Sequence, residues 1–221
     1  MKARAIFSRF TDLLFPPRCV FCGTVAAHGT PLCVRCEAEN PCIHAQKCIL
    51  LPETGQTICC RVPYLYDGSI RESIIRFKFH GKTNYADFFG GRIVDEFQNE
   101  FGNFDLITAV PVSADRRKLR GYNQSELIAR SAGERMNLSY RETLVKTVDN
   151  PEQHKLSMRD RKSNVRGVYQ PLQEQEISGK RILLVDDIVT TGATLGECAA
   201  VLFSAGAKEV SCAAIAKVAR P

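Results

Sequence analysis

The spacing of apolar residues changes character near residue 61. Upstream, Pro16, Pro17, Pro31, Pro41 and Pro52 punctuate a cysteine-rich stretch and leave little room for regular structure. Before them, Ile6, Phe10, Leu13 and Leu14 recur at helical spacing and predict a short amphipathic helix that stops ahead of Pro16-Pro17 and docks on its own protein. Downstream, the periods of a packed core begin. Ile74-Ile75 and Phe77-Lys78-Phe79 fit a helix or a strand after Tyr66-Asp67-Gly68. Ala86 to Phe97 reads as a helix with Phe88, Phe89, Ile93, Val94 and Phe97 inward. Residues 106–112 predict a short buried strand opening into a loop at Pro111. Asn123, with Glu126 three residues on, marks a capping-box-like helix start whose Leu127, Ile128 and Met136 face inward. Residues 181–185 and 209–217 predict two more buried strands, joined by a helix over 193–204 that ends at Gly206. Strand, helix and strand in that order make a βαβ unit with parallel strands.

A chain of 221 residues, 44% hydrophobic and 24% charged, is an ordinary globular composition with room for one α/β domain and a small module. The formal charge of +6 suits anionic ligands without demanding nucleic acid. No apolar run approaches the roughly 18 residues of a membrane helix, and the basic start lacks the apolar core and cleavage site of a secretory leader. The expected compartment is therefore the cytoplasm.

The strand ending at Val185 runs into Asp186-Asp187-Ile188-Val189-Thr190-Thr191-Gly192-Ala193-Thr194 and then the helix. In open parallel sheets, ligands sit beyond the carboxyl ends of strands, where helices begin. Gly192 lets the backbone approach a phosphate, helix-start N–H groups point toward it, and Thr190, Thr191 and Thr194 add hydroxyls. Two carboxylates there would repel a bare polyphosphate but accept hydrogen bonds from sugar hydroxyls. A sugar phosphate satisfies both halves. Neither of the usual glycine-rich nucleotide loops occurs in the chain.

Val185 to Thr194 resembles the signature of type I phosphoribosyltransferases. The resemblance implies that Asp186 and Asp187 bind the ribose hydroxyls of phosphoribosyl diphosphate, that Thr190, Thr191, Gly192, Ala193 and Thr194 hold its 5-phosphate, and that magnesium is bound largely through the substrate. Tyr66-Asp67-Gly68, Phe77-Lys78-Phe79-His80-Gly81, Arg120-Gly121-Tyr122-Asn123-Gln124 and Asn164-Val165-Arg166-Gly167 resemble the ComF family in the same order. That family joins a cysteine-rich zinc segment to a phosphoribosyltransferase domain and is associated with DNA uptake. By the same resemblance, Val112 and Ser113 lie near the diphosphate, and Arg116 to Gln124 is the flexible loop closing over it, with Arg120 its catalytic member. Arg116, Arg117, Lys118 and Arg120 form one basic cluster; Lys155, Arg159, Arg161, Lys162 and Arg166 form another. Either could serve a diphosphate or DNA phosphates. Tyr122 and Phe79 could stack on a base, or simply pack in the core.

Eight of the ten cysteines fall within residues 19–60. Cys19-x-x-Cys22 and Cys33-x-x-Cys36 are two knuckles suited to one tetrahedral, structural zinc. Cys42, Cys48, Cys59, Cys60 and His44 form no such pair, depart from the paired pattern often seen in ComF-like chains, and leave a second zinc open. Cys198 and Cys212 read as core. The expected architecture is a zinc-ribbon-like module over residues 1–60 and an α/β phosphoribosyltransferase domain over 61–221. The expected function is either transfer of ribose 5-phosphate from phosphoribosyl diphosphate to a nitrogen nucleophile, or non-catalytic ligand sensing with binding of single-stranded DNA or a competence partner.

Overall fold

The computed structural model describes residues 16–52, 54–100, 102–147 and 167–219. The expected N-terminal helix and the basic cluster from Lys155 to Arg166 lie outside them.

At the centre are β7 (Arg181–Val189) and β8 (Glu209–Lys217), parallel neighbours joined by α7 (Ala193–Ser204). The helix and β8 coincide with the sequence expectation. The strand β7 does not stop at Val185: it carries the acidic pair as far as Val189, which pairs with Lys217. On one side β7 pairs in parallel with β4 (Leu106–Ala109). Beyond β8 lie β2 (Thr57–Val62) and β3 (Tyr64–Leu65), which pair with it in one continuous register broken at Pro63, a residue with no N–H to donate. An antiparallel edge strand, β1 (Ala45–Leu50), completes the sheet against β2. A division after residue 60 thus falls inside β2, where Cys60 and Arg61 pair with Cys212 and Ala213.

Each face of the sheet buries its own core. Leu183 and Val185 of β7 meet α2 (Gly68–Phe79), α3 (Tyr85–Glu96), α5 (Gln124–Met136) and the cysteine segment with α1 (Val34–Glu39). Ile182 and Leu184 meet α6 (Glu174–Ile177), α7, the hairpin and the small sheet of β5 (Leu144–Lys146) and β6 (Tyr169–Pro171). Double coverage explains why β7 reads as a continuous apolar run. The ambiguous segment after Asp67 is a helix capped by that side chain, which accepts from the Gly68 N–H. In α3, Phe88, Phe89, Ile93 and the flanking Phe97 are buried and Val94 packs partly, as expected. Helices α3 and α5 cross closely because Gly90 has no Cβ; one there would sit 2.7 Å from Ser131 Cβ. Asn123 caps α5 through the Ser125 N–H, but Glu126 turns away to Arg117 and Arg130 rather than closing a capping box.

Candidate functional site

The carboxyl end of β7, the turn at Thr190–Gly192 and the first turn of α7 enclose a small pocket lined by Asp186, Ile188, Val189, Thr190, Gly192, Ala193, Thr194 and Leu195. The turn needs glycine twice over. Gly192 has φ of +88°, which L side chains rarely adopt, and a Cβ there would lie 2.6 Å from Ile49 Cγ1. Ile49 of β1 fills the space that a Cβ at Gly192 would occupy. Thr190 is exposed, whereas the Thr191 hydroxyl turns back to accept from the Ala193 N–H at 3.2 Å.

The two carboxylates have different surroundings. Asp186 lines the pocket and accepts from the Ser125 hydroxyl at 3.0 Å and the Asp187 N–H at 2.8 Å. Burial, then the adjacent Asp187 charge, pushes its carboxyl up to about 7, against the pull of those hydrogen bonds and of Lys78. Asp187 is buried and holds Lys78 Nζ at 2.8 Å. Lys78 comes from the last turn of α2.

Beside Lys78, Arg120 donates to Gln124 Oε1 at 3.0 Å and places its guanidinium 4.7 Å from the centre of the exposed Phe79 ring. Its Nε is buried without a partner, and its charge acts on Asp187. The Tyr122 hydroxyl donates to Phe77 O and its ring packs on Phe77, so this aromatic is tied down while Phe79 is presented. Two sequence motifs separated by nearly forty residues, Phe77–Gly81 and Arg120–Gln124, thus meet at the acidic pair. The segment expected to be a flexible loop is instead largely a helix, α4 (Ala114–Arg120), capped by Ser113 and ended by Gly121. Val112 and Ser113 follow β4 at the same end of the sheet, just past Val110, whose N–H donates to Val185 O.

On the α2–α3 face, the ligand atoms of Cys19, Cys22, Cys33 and Cys36 lie within 4.8 Å of one another, with Cys22 and Cys33 Sγ 3.7 Å apart. A tetrahedral zinc with bonds of about 2.3 Å separates its sulfurs by about 3.8 Å, so the four thiols fit that ion. Phe21, inside the first knuckle, meets Tyr64 and Phe88 edge-on, and Arg76 donates to Phe21 O, fastening the knuckles to the α/β core. Among the described residues, the remaining cysteines form no second cluster of three or more ligands. Cys48 and Cys59 face outward, Cys60 is buried on the opposite face, and His44 pairs with Glu96. Cys198 and Cys212 are fully buried, as expected of core residues.

The site thus brings together Asp186, Asp187, Arg120 and the 190–194 turn. Sequence reasoning missed Lys78 as the partner of Asp187, Ser125 as a donor to Asp186, and Ile49 against Gly192. Only the phenylalanine–lysine–phenylalanine motif hinted at the first.

Residues 128–221 match the phosphoribosyl transferase domain family. Competence protein ComFC of Streptococcus pneumoniae is 28% identical over 188 residues, covering 84% of this chain and 79% of that protein. DNA utilization protein YhgH of Salmonella typhimurium is 26% identical over 200 residues, 87% of this chain and 86% of that one. Competence protein F of Haemophilus influenzae is 32% identical over 108 residues, 48% of this chain and 47% of that one. The chain thus has a phosphoribosyltransferase-type α/β core and a four-cysteine cluster compatible with a zinc ribbon, and over most of its length it is similar to competence and DNA utilization proteins.

Proposed function

We propose that this protein binds phosphoribosyl diphosphate with magnesium at the β7–α7 junction, carries a structural zinc on its four clustered cysteines, and acts in the cytoplasm in DNA uptake. The observation that carries the ligand assignment is the acidic pair near the end of β7, with Asp186 lining a pocket walled by the Gly192 turn. Asp186 and Asp187 accept hydrogen bonds from the ribose hydroxyls. Thr190, Thr194 and the N–H groups opening α7 take the 5-phosphate. Lys78 and Arg120 supply the cationic wall that a diphosphate needs. The two carboxylates are the hard oxygen donors available to magnesium, which would neutralise charge on the diphosphate. The names of the relatives, competence and DNA utilization proteins, support the role in DNA uptake.

Calorimetric titration with phosphoribosyl diphosphate tests this reading. Binding is expected only with magnesium and is expected to weaken sharply in Asp187→Asn protein of unchanged fold. Equal affinity in that variant sinks the ribose assignment.

A second reading, ligand sensing without transfer, draws support from α4. Arg117 in this helix is held by both Glu126 and Glu142, which opposes its opening and closing as a lid. Magnesium-dependent diphosphate release across a panel of nitrogen acceptors separates the two readings.

A further inference from the structure

The outer face of the β1–β2 hairpin carries two thiols in register. Cys48 and Cys59 are directly opposed cross-strand partners, both exposed, with Sγ atoms 3.6 Å apart. Opposed residues of an antiparallel pair have Cα atoms about 4.5–5.5 Å apart. That lies inside the span of roughly 4.4–6.8 Å that a disulfide bridges. Side-chain rotation alone therefore brings the sulfurs to the bonding distance of about 2.05 Å. Neither thiol belongs to the four-cysteine cluster, and the adjacent Cys60 is buried on the other face of the strand.

We propose that Cys48 and Cys59 form a dithiol–disulfide couple that exchanges reversibly with small-molecule disulfides. The Cys48 thiolate attacks one sulfur of the incoming disulfide, giving a mixed disulfide and one small thiol, which takes up the proton that Cys48 lost. The Cys59 thiolate then attacks Cys48 Sγ, closing the protein disulfide and expelling the second small thiol with the second proton. Two protein thiols are oxidised and one small disulfide is reduced. The hydrogen bond with Cys48, then burial, holds the Cys59 thiol above its ordinary value, so the closing step accelerates as pH rises.

The couple also reaches the ligand turn. Ile49, next to Cys48 on the opposite face, packs against Gly192 and Gly196. Among the described residues β1 is an edge strand paired only to β2, so a covalent bridge between the two pins Ile49 against the turn. This link rests on the geometry of the turn and not on the identity of its ligand.

The test incubates the purified full chain in glutathione redox buffers, then quenches, alkylates and maps every thiol by mass spectrometry. Cys48 and Cys59 are expected to lose alkylation together, as a linked peptide pair within one chain, and to regain it with dithiothreitol. Cys59→Ser protein is expected to retain glutathione on Cys48. Amide exchange over residues 191–196 is expected to slow in the oxidised protein. Full alkylation of both thiols in excess oxidised glutathione at pH 8, or a link found only between chains, overturns the couple. Unchanged exchange over 191–196 overturns its connection to the turn.

Discussion

Lys78 Nζ lies 2.8 Å from Asp187 Oδ2, with both side chains largely withdrawn from solvent. The carboxylate expected to take a ribose hydroxyl is thus already neutralised by a cation from a different element, and Arg120 stands behind it. Removing one member of such a pair leaves the other charged and poorly solvated, at a cost of about 3–5 kcal/mol for a buried pair. Lys78→Met protein is therefore expected to unfold at clearly lower denaturant than the parent. Lys78→Met/Asp187→Asn protein is expected to recover much of the loss. A double variant no more stable than the single one refutes a coupled pair.

Asp186 gives the site a pH dependence whose sign follows from its raised carboxyl. Its ordinary value is 3.8, and burial beside Asp187 lifts it to about 7 in the folded chain. The folded state then holds a proton that the unfolded state has lost. Stability linked to this group is fully present below about pH 4 and is lost as pH climbs through about 7. Asp186→Asn is expected to raise the melting temperature most at pH 8, less at pH 5, and to change it little below about pH 4. Ligand binding runs the other way: phosphoribosyl diphosphate affinity in the parent protein is expected to rise with pH up to about 7. A flat profile between pH 5 and 8 contradicts a titrating Asp186.

Gly192 serves the hairpin as well as the turn. In Gly192→Ala protein, the positive φ adds about 1–2 kcal/mol. The contact with Ile49 adds an overpacking cost of about 1–3 kcal/mol. Ile49→Ala alone creates a cavity, yet Gly192→Ala should cost less in that background than in the parent. A double-mutant cycle with additive effects excludes the contact.

Zinc at the four-cysteine cluster predicts at least one ion per chain in protein purified without chelator under reducing conditions. Cys22→Ser is expected to lose it and to loosen the α2–α3 face, because Phe21 anchors the knuckles to Tyr64 and Phe88. Metal analysis that finds no zinc in the parent protein ends this assignment.

If the protein also binds single-stranded DNA, α4 offers Arg116 and Lys118, since Arg117 is engaged by Glu126 and Glu142 and Arg120 by Gln124. Replacing Arg116 and Lys118 with alanine is expected to flatten the log–log salt dependence of binding by about 0.7 per lost contact. Phosphoribosyl diphosphate binding is expected to change little. An unaltered slope removes these two residues from any DNA contact.

The β7–α7–β8 unit was readable because apolar runs, a glycine turn and Gly206 agree at every level there. The knuckle cysteines were readable because metal geometry imposes a spacing on sequence. What escaped had no local signal. Lys78 and Asp187 meet only through the fold, and the α2 segment fits either period. The hairpin alternates cysteine, lysine and isoleucine in a segment whose prolines and cysteines suggested irregular structure. The α4 residues Ala114–Arg120 are almost wholly polar, so their helix is announced only by its ends, Ser113 and Gly121. The acidic pair looked like the end of a strand, because carboxylates inside a central strand are expected only where they serve a site.

The register of β2 on β8 has a bearing on how the chain is made. Cys60 pairs with Cys212, a separation of about 150 residues, and contacts this distant close slowly. During synthesis the knuckles and the β1–β2 hairpin leave the ribosome well before β8 exists to receive them. Each must wait with one face uncovered, the knuckles able to capture metal in the meantime and the hairpin a bare strand edge. Completion of β8 is the event that seats the early half of the chain, so truncations shortly before Glu209 should expose the hairpin to self-association rather than yield a smaller stable domain.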